Sequence, residues 1–340
     1  DGTLQWDSTT IVVVQLKAGD MQGLGYTYAS PSTGALIQEK LRDVVVGRDA
    51  LDVQGIWEEM ICTLRNLGRP GICAMAVAAV DIALWDLKAR LLGVPLVKLL
   101  GQVRDGVAAY GSGGFTSYSI ERLQAQLGGW AQEGLRSVKM KIGREPDQDL
   151  ARVQAARRAI GEQAELFVDA NGAYSRKQAL TMAEAFAGCG VKWFEEPVVS
   201  DDLDGLRFIR ERAPVTMVIA AGEYAYDLMY FRRMLAAGAV DVLQADVTRC
   251  GGITGFMHAG ILAEAFTAPF SAHTAPSIHQ HPCCALGRAC SIEYFYDHYR
   301  IEEMFFDGAA RPVKGELRPD LSRPGLGLEL KQEDAERYAV

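Results

Sequence analysis

No Gly-rich phosphate loop, no CxxC pair and no uninterrupted apolar run long enough for a bilayer occur in these 340 residues. The first absence argues against an open nucleotide-binding sheet. The longest apolar stretch, Gly71 to Leu87, is broken by Asp81 and Asp86 and reads as a buried helix rather than a membrane span. Seven cysteines, with Cys283 and Cys284 adjacent, suggest neither a disulfide framework nor a zinc knuckle, so a reducing cytoplasm is the expected setting. Positive charge is the scarcer sign. With 35 Lys and Arg against 43 Asp and Glu, the net charge of −8 leaves no basic field for nucleic acid or an anionic membrane. An anionic substrate must therefore meet locally placed cations. Neither an initiating Met nor a secretory signal opens the chain, so the reading expects natural sequence ahead of Asp1.

What is present describes a soluble globular protein with a large core: 49% hydrophobic residues, 23% charged residues and 35 glycines. Residues Thr10 to Leu16 and Gly23 to Tyr28 flank a Lys-Ala-Gly-Asp turn and read as a hairpin. Helical periodicity follows over Leu36 to Val45, Val53 to Leu64 and Ala74 to Leu91, with Gly93 and Pro95 ending the last. Residues 1–105 thus form an α+β unit. From about Gly106 short apolar runs alternate with helical stretches: VAAYGS from Val107, SVKMKIG from Ser137, ELFVDAN from Glu165, KWFEEP from Lys192, VTMVIAAGE from Val215, DVLQAD from Asp241, FSAHT from Phe270 and SIEYF from Ser291. Eight strands joined by helices fit a closed (β/α)8 barrel of the modified TIM type over residues 106–307. The Pro- and Gly-rich tail, 308–340, is expected to pack back on the N-terminal unit.

Barrel chemistry sits at the C-terminal ends of the strands, where the loops form an open mouth. Asp169 ends the third run, Glu195 the fourth and Glu223 the fifth, at spacings of 26 and 28 positions. One such carboxylate alone reads as a salt-bridged rim residue, but three in register supply hard oxygen ligands for Mg²⁺. In Lys-Met-Lys, period-two alternation puts Lys139 and Lys141 on one face with Met140 opposite. Repulsion, the metal and desolvation are expected to depress a lysine pKa there, as a neutral general base requires. Across the barrel, Asp246 ends the sixth strand and His273 the seventh, so the carboxylate can fix and activate the imidazole. His258, His279, His281 and His298 have no strand-end context and read as core or loop residues.

These motifs jointly resemble the enolase superfamily and, within it, the mandelate racemase-like group. The resemblance spans nearly the whole chain: Lys-Met-Lys 139–141, Val-Asp-Ala-Asn 168–171, Phe-Glu-Glu-Pro 194–197, Ala-Gly-Glu 221–223, Gln-Ala-Asp 244–246 with Gly-Gly-Ile-Thr-Gly from Gly251, and Ser-Ala-His 271–273. It implies that Asp169, Glu195 and Glu223 hold Mg²⁺ and that Lys141 is a base on one face of a carboxylate substrate. It further implies that the Asp246/His273 dyad serves the other face, and that Lys139 neutralises the substrate carboxylate and helps set the pKa of Lys141. Relatives resembling muconate lactonizing enzyme or dipeptide epimerases carry a second lysine where this chain has Asp246. The family also places a glutamate near the eighth strand to donate to the enediolate; Glu302 is chosen here, with Glu293 and Glu303 competing. The capping unit is expected to lack its first strand and part of its substrate-covering loop. A homo-oligomer is implied without a motif that sets its size.

Removing a proton α to a carboxylate builds a dianionic enediolate that a cation must stabilise. Bases on both faces permit racemisation or epimerisation, or loss of a β-hydroxyl as water. Dehydration of an acid sugar is the favoured reading, with Asn171, Tyr110, Thr248 and Arg249 as polyol-binding candidates. The alternatives are a racemase or epimerase of an α-hydroxy acid and a catalytically silent barrel kept as a scaffold.

Overall fold

In the computed structural model, which describes residues 1–340, the chain begins its regular structure with an antiparallel hairpin. Strands β1 (Ile11–Ala18) and β2 (Met21–Tyr28) pair from Ile11 opposite Tyr28 to Ala18 opposite Met21. The helix read at Leu36 to Val45 starts earlier, at Pro31 behind the Ser30 cap, and runs to Val45 through a π-turn at Ile37–Leu41. The extra residue of that turn displaces the 3.6-residue period on which the boundary was read. Helix Val53–Thr63 follows, capped by Asp52.

The apolar stretch becomes helix Ile72–Leu91, buried on nearly every side. Being apolar all round, it demands cover on all faces. It finds that cover between β2 and the barrel helix Gly252–Ala265. At Gly25 a Cβ would stand 2.2 Å from the Ala79 carbonyl oxygen, so only glycine lets β2 lie this close to the helix. The two aspartates that interrupt the apolar run are wholly buried and fully used. Asp81 accepts from the Thr254 amide at 2.9 Å and its hydroxyl at 2.7 Å. Asp86 accepts from the amides of Leu24 at 2.8 Å and Leu326 at 2.6 Å, and pairs with Arg90 at 2.8 Å. Burial without such partners would cost several kcal/mol. No helix is long and apolar enough to cross a membrane.

Eight parallel strands form the barrel: β3 (Val107–Gly113), β4 (Ser137–Lys141), β5 (Glu165–Asp169), β6 (Val191–Glu195), β7 (Val218–Ala221), β8 (Val242–Ala245), β9 (Phe270–Ala272) and β10 (Ala289–Phe295). Each pairs with the next, and β10 closes on β3 with Ile292 opposite Ala109. After β11 (Phe306–Asp307), the tail adds β12 (Glu316–Leu317) antiparallel to β3, and β13 (Glu329–Leu330) pairs with β11. Inside the barrel Tyr110, Phe167, Trp193, Ala220 and Val242 form an apolar plug. Because strand side chains alternate, positions two residues farther along share the inward face. There the plug gives way to Ser112, Asp169, Glu195 and Gln244, all buried polar groups. Strand register fixes the height of this layer, with Lys141 opposite Asp169 and Asp169 opposite Glu195.

Candidate active site

The strand ends bring three carboxylates together. One oxygen from each of Asp169, Glu195 and Glu223 lies within 4.8 Å of the others, and all three side chains are buried. Glu223 stands two residues past β7, beyond Gly222 at φ 132°. A Cβ on Gly222 would fall 2.1 Å from the Gln244 carbonyl oxygen, so glycine permits the bend that turns Glu223 inward. Glu223 Oε2 accepts no well-formed hydrogen bond although buried. Such an orphaned oxygen in an all-carboxylate set suits a hard divalent cation of the Mg²⁺ type. Charge balance agrees. Asp169, Glu195, Glu196, Glu223, Asp246 and Glu293 are buried here beside only Lys139, Lys141 and the largely covered Arg249.

Both lysines reach this cluster. Lys141 Nζ lies 2.5 Å from Asp169 Oδ2. Lys139 is wholly buried beneath, 2.6 Å from Glu195 Oε1 and 2.8 Å from Glu293 Oε1. The side chains by themselves do not depress the lysine pKa; the expectation from the sequence also counted on the charge of a neighbouring cation. Burial and the repulsion from Lys139 pull Lys141 down, but the carboxylates of Asp169, Glu223 and Glu293 together outweigh them, and its pKa is raised. Lys139 is raised further, its desolvation overcome by Glu195 and Glu293. Alternation located the two ammonium groups correctly. It carried no information on the number of carboxylates around them.

Across the ring, His273 Nδ1 lies 2.8 Å from Asp246 Oδ2, and its Nε2 is 3.1 Å from Glu223 Oε2. Asp246 also accepts from the Thr248 amide and hydroxyl, each at 2.7 Å. Burial pushes its carboxyl up, but His273 and Arg249 hold it well below the usual range, so it is an anion facing the imidazole. An Nδ1 proton shared with Asp246 leaves Nε2 to face the site.

The site opens into a cavity of about 450 Å³, the size of a small-molecule pocket. Lys141, Asn171, Glu223, Arg249 and His273 line it. Asn171, with φ 47°, stands in the turn after β5 and donates its backbone N–H to Asp169 Oδ1 at 2.8 Å. The segment before β1 contributes Asp1, Gln5 and Trp6 to the mouth. Lys139 is not on the cavity wall.

Glu302 is not brought to the site. It lies wholly buried in helix Tyr296–Phe305, accepting from Tyr26 Oη at 2.6 Å and Ser277 Oγ at 2.5 Å. Of the competing candidates, Glu293 reaches the cluster of lysines and carboxylates. It stands on β10 with Oε1 beside Lys139 and Oε2 3.7 Å from His273 Nε2. Alternation along Ser291, Glu293 and Phe295 was the available signal, since it puts Glu293 on the inward face. Tyr110 belongs to the apolar plug, and Thr248 supports Asp246; of the polyol candidates only Asn171 and Arg249 reach the cavity. His298 lines the cavity, against the core-or-loop expectation. Nothing local in the sequence marks it.

Comparison with known proteins matches residues 2–101 to the mandelate racemase/muconate lactonizing enzyme N-terminal domain and residues 122–335 to the enolase C-terminal domain-like family. A 3,6-anhydro-alpha-L-galactonate cycloisomerase from Streptomyces coelicolor is 34% identical over 97% of this chain and 91% of its own length. A mandelate racemase/muconate lactonizing enzyme-like protein from Rubrobacter xylanophilus superposes with a TM-score of 0.98 at 55% identity, covering 100% of this chain and 94% of that one. The L-talarate dehydratase of a Polaromonas species, solved with Mg and L-glucarate, gives a TM-score of 0.88 at 31% identity, covering 96% and 91%.

Proposed function

The chain belongs to the mandelate racemase/muconate lactonizing enzyme family of the enolase superfamily, and from that premise we propose a Mg²⁺-dependent dehydratase of an acid sugar, with Asp169, Glu195 and Glu223 holding the metal. One observation carries the reading. Lys141 ends β4, whereas Asp246 and His273 follow β8 and β9, so the proton-handling groups stand on opposite sides of the eight-stranded ring with the carboxylate cluster between them.

Asp169, Glu195 and Glu223 would hold Mg²⁺, whose positive charge would stabilise an enediolate and weaken the hold of Asp169 on the Lys141 ammonium. Lys141, as the neutral amine, takes the Cα proton; the C–H electron pair moves into the enediolate. Glu293, pinned by Lys139 at 2.8 Å, lies 3.7 Å from His273 Nε2 and supports the buried side of the site. His273 gives its Nε2 proton to the β-oxygen as the C–O bond breaks, and Asp246 stabilises the imidazolium before that transfer. A hydroxyl leaving as water makes the reaction a dehydration. A ring oxygen leaving from the same position would make it the ring opening of a cyclic acid sugar, which the likeness to a cycloisomerase favours as the second reading. Return of a proton to the opposite face of Cα by His273 would make it a racemase or epimerase.

The test is α-proton exchange in D₂O with Mg²⁺ over a library of acid sugars, their anhydro forms and α-hydroxy acids. Exchange accompanied by loss of water is expected. Ring opening without water loss selects the second reading, exchange with inversion selects the racemase, and no exchange with any acid overturns the proposal.

A further inference from the structure

His298 sits where a structural histidine would be wasteful. Its ring stacks on Tyr28 of the capping hairpin at 3.5 Å and 16°, and meets Phe295 edge to face at 5.1 Å. Two aromatic contacts from different units hold the imidazole plane against the cavity wall. Its two nitrogens are unequal. Nδ1 is buried without a partner, whereas Nε2 makes no hydrogen bond within the protein, and the residue lines the cavity. His279, a core histidine of this chain, uses both nitrogens, on Thr274 O at 2.8 Å and the Val247 amide at 2.9 Å. A proton on His298 Nδ1 would bury an unsatisfied donor at a cost of about 1–3 kcal/mol, so the proton belongs on Nε2.

Burial, with His273 nearby, pulls the His298 pKa down to about 3, and the ring is neutral at working pH. It therefore shows the cavity one uncharged N–H donor. That chemistry suits a hydroxyl or ether oxygen, since a distal carboxylate would draw a cation instead. Position narrows the choice. Cα and Cβ must lie between Lys141 and His273, while His298 lies in the helix beyond Phe295, whose ring is 6.0 Å from Lys141 Nζ. Trp6, Phe115 and Tyr224 give the same cavity aromatic faces for the C–H surfaces of a sugar chain.

We propose that His298 is a specificity-determining residue that donates from Nε2 to a substrate oxygen beyond the β-carbon, so that the site selects polyhydroxylated acids over short α-hydroxy acids. This rests on the function proposed above and names a feature of its substrate. Two variants test it: His298→Phe keeps the stack on Tyr28 and removes the donor, and His298→Gln keeps a donor at a similar reach. With the acid sugar found by the exchange screen, His298→Phe raises KM about tenfold, the equivalent of one hydrogen bond of ~1.4 kcal/mol. The inhibition constant of lactate, which has no oxygen beyond Cα apart from its carboxylate, stays within about twofold of wild type on the same reasoning. His298→Gln recovers most of the lost affinity for the sugar. An unchanged KM in His298→Phe, or equal weakening of lactate and sugar, overturns the assignment. If the wild-type protein exchanges no α-proton, the functional reading falls first; if it does and His298→Phe is silent, only His298 loses its role.

Discussion

At the scale of single residues, the division of labour between Lys141 and His273 separates chemistry from metal binding. Neither side chain is in the carboxylate triad. Lys141→Ala and His273→Asn should each lower kcat by at least about a thousandfold, within the range for general acid–base groups. Mg²⁺ affinity, followed by titration calorimetry, should stay within a few-fold; tenfold loss in either variant would place that residue in the metal site instead. Glu302 makes a different prediction. Burial pushes its pKa up to about 7 against an ordinary 4.5, with the Ser277 and Tyr26 hydrogen bonds opposing. The folded state thus binds this proton more tightly than the unfolded chain does. Its stabilisation is complete below about pH 4.5 and is lost as pH rises through 7. Glu302→Gln should flatten the decline of Tm between pH 5 and 7.5 relative to wild type, and turnover should survive. Loss of turnover in a folded Glu302→Gln protein would restore the substrate role read from the sequence.

At the scale of elements, the bend at the end of β7 is where backbone geometry governs the metal. Gly222→Ala places a Cβ against the Gln244 carbonyl and requires a φ that L residues rarely adopt. Relief of that clash displaces Glu223, so Mg²⁺ should bind about 10- to 100-fold more weakly, the range for residues that orient a ligand without touching the metal. Calorimetry on the folded variant checks it, and wild-type affinity would show that the loop repacks without moving the carboxylate. Strand alternation is also what made most of the site legible in the sequence. Lys141, Asp169, Glu195, Asp246 and His273 all stand at or just past strand ends, with Lys139 two residues before the end of β4, where the period of two and the barrel rule act together. Glu302 was misread because it lies one element farther, in a helix where adjacency in sequence no longer implies a shared face. β12 escaped notice because two residues carry no period. The ring stack of His298 is made with Tyr28, 270 positions away, and no local pattern encodes it.

At the scale of the whole molecule, a cluster of buried like charges makes stability depend on the cation. Six carboxylates share one end of the barrel, and a ligand that binds only the folded form stabilises it by mass action. Mg²⁺ at about a hundred times its Kd should add ~2.7 kcal/mol, raising Tm by several degrees by calorimetry. Asp169→Asn should lose most of that rise, and a Tm indifferent to Mg²⁺ in the wild-type protein would count against the triad as a metal site.

The capping unit grips one barrel helix in particular. Asp81 caps the Thr254 amide, Trp85 Nε1 donates to the Thr254 hydroxyl at 2.9 Å, and Trp57 Nε1 donates to Gly251 O at 2.8 Å. That helix begins at Gly252, six positions after Asp246. A chimaera that borrowed the cap of a relative would need to carry all three anchors with it, or leave a carboxylate stranded in oil. Grafting new selectivity onto this scaffold is therefore a matter of exchanging matched halves, not of transplanting a loop.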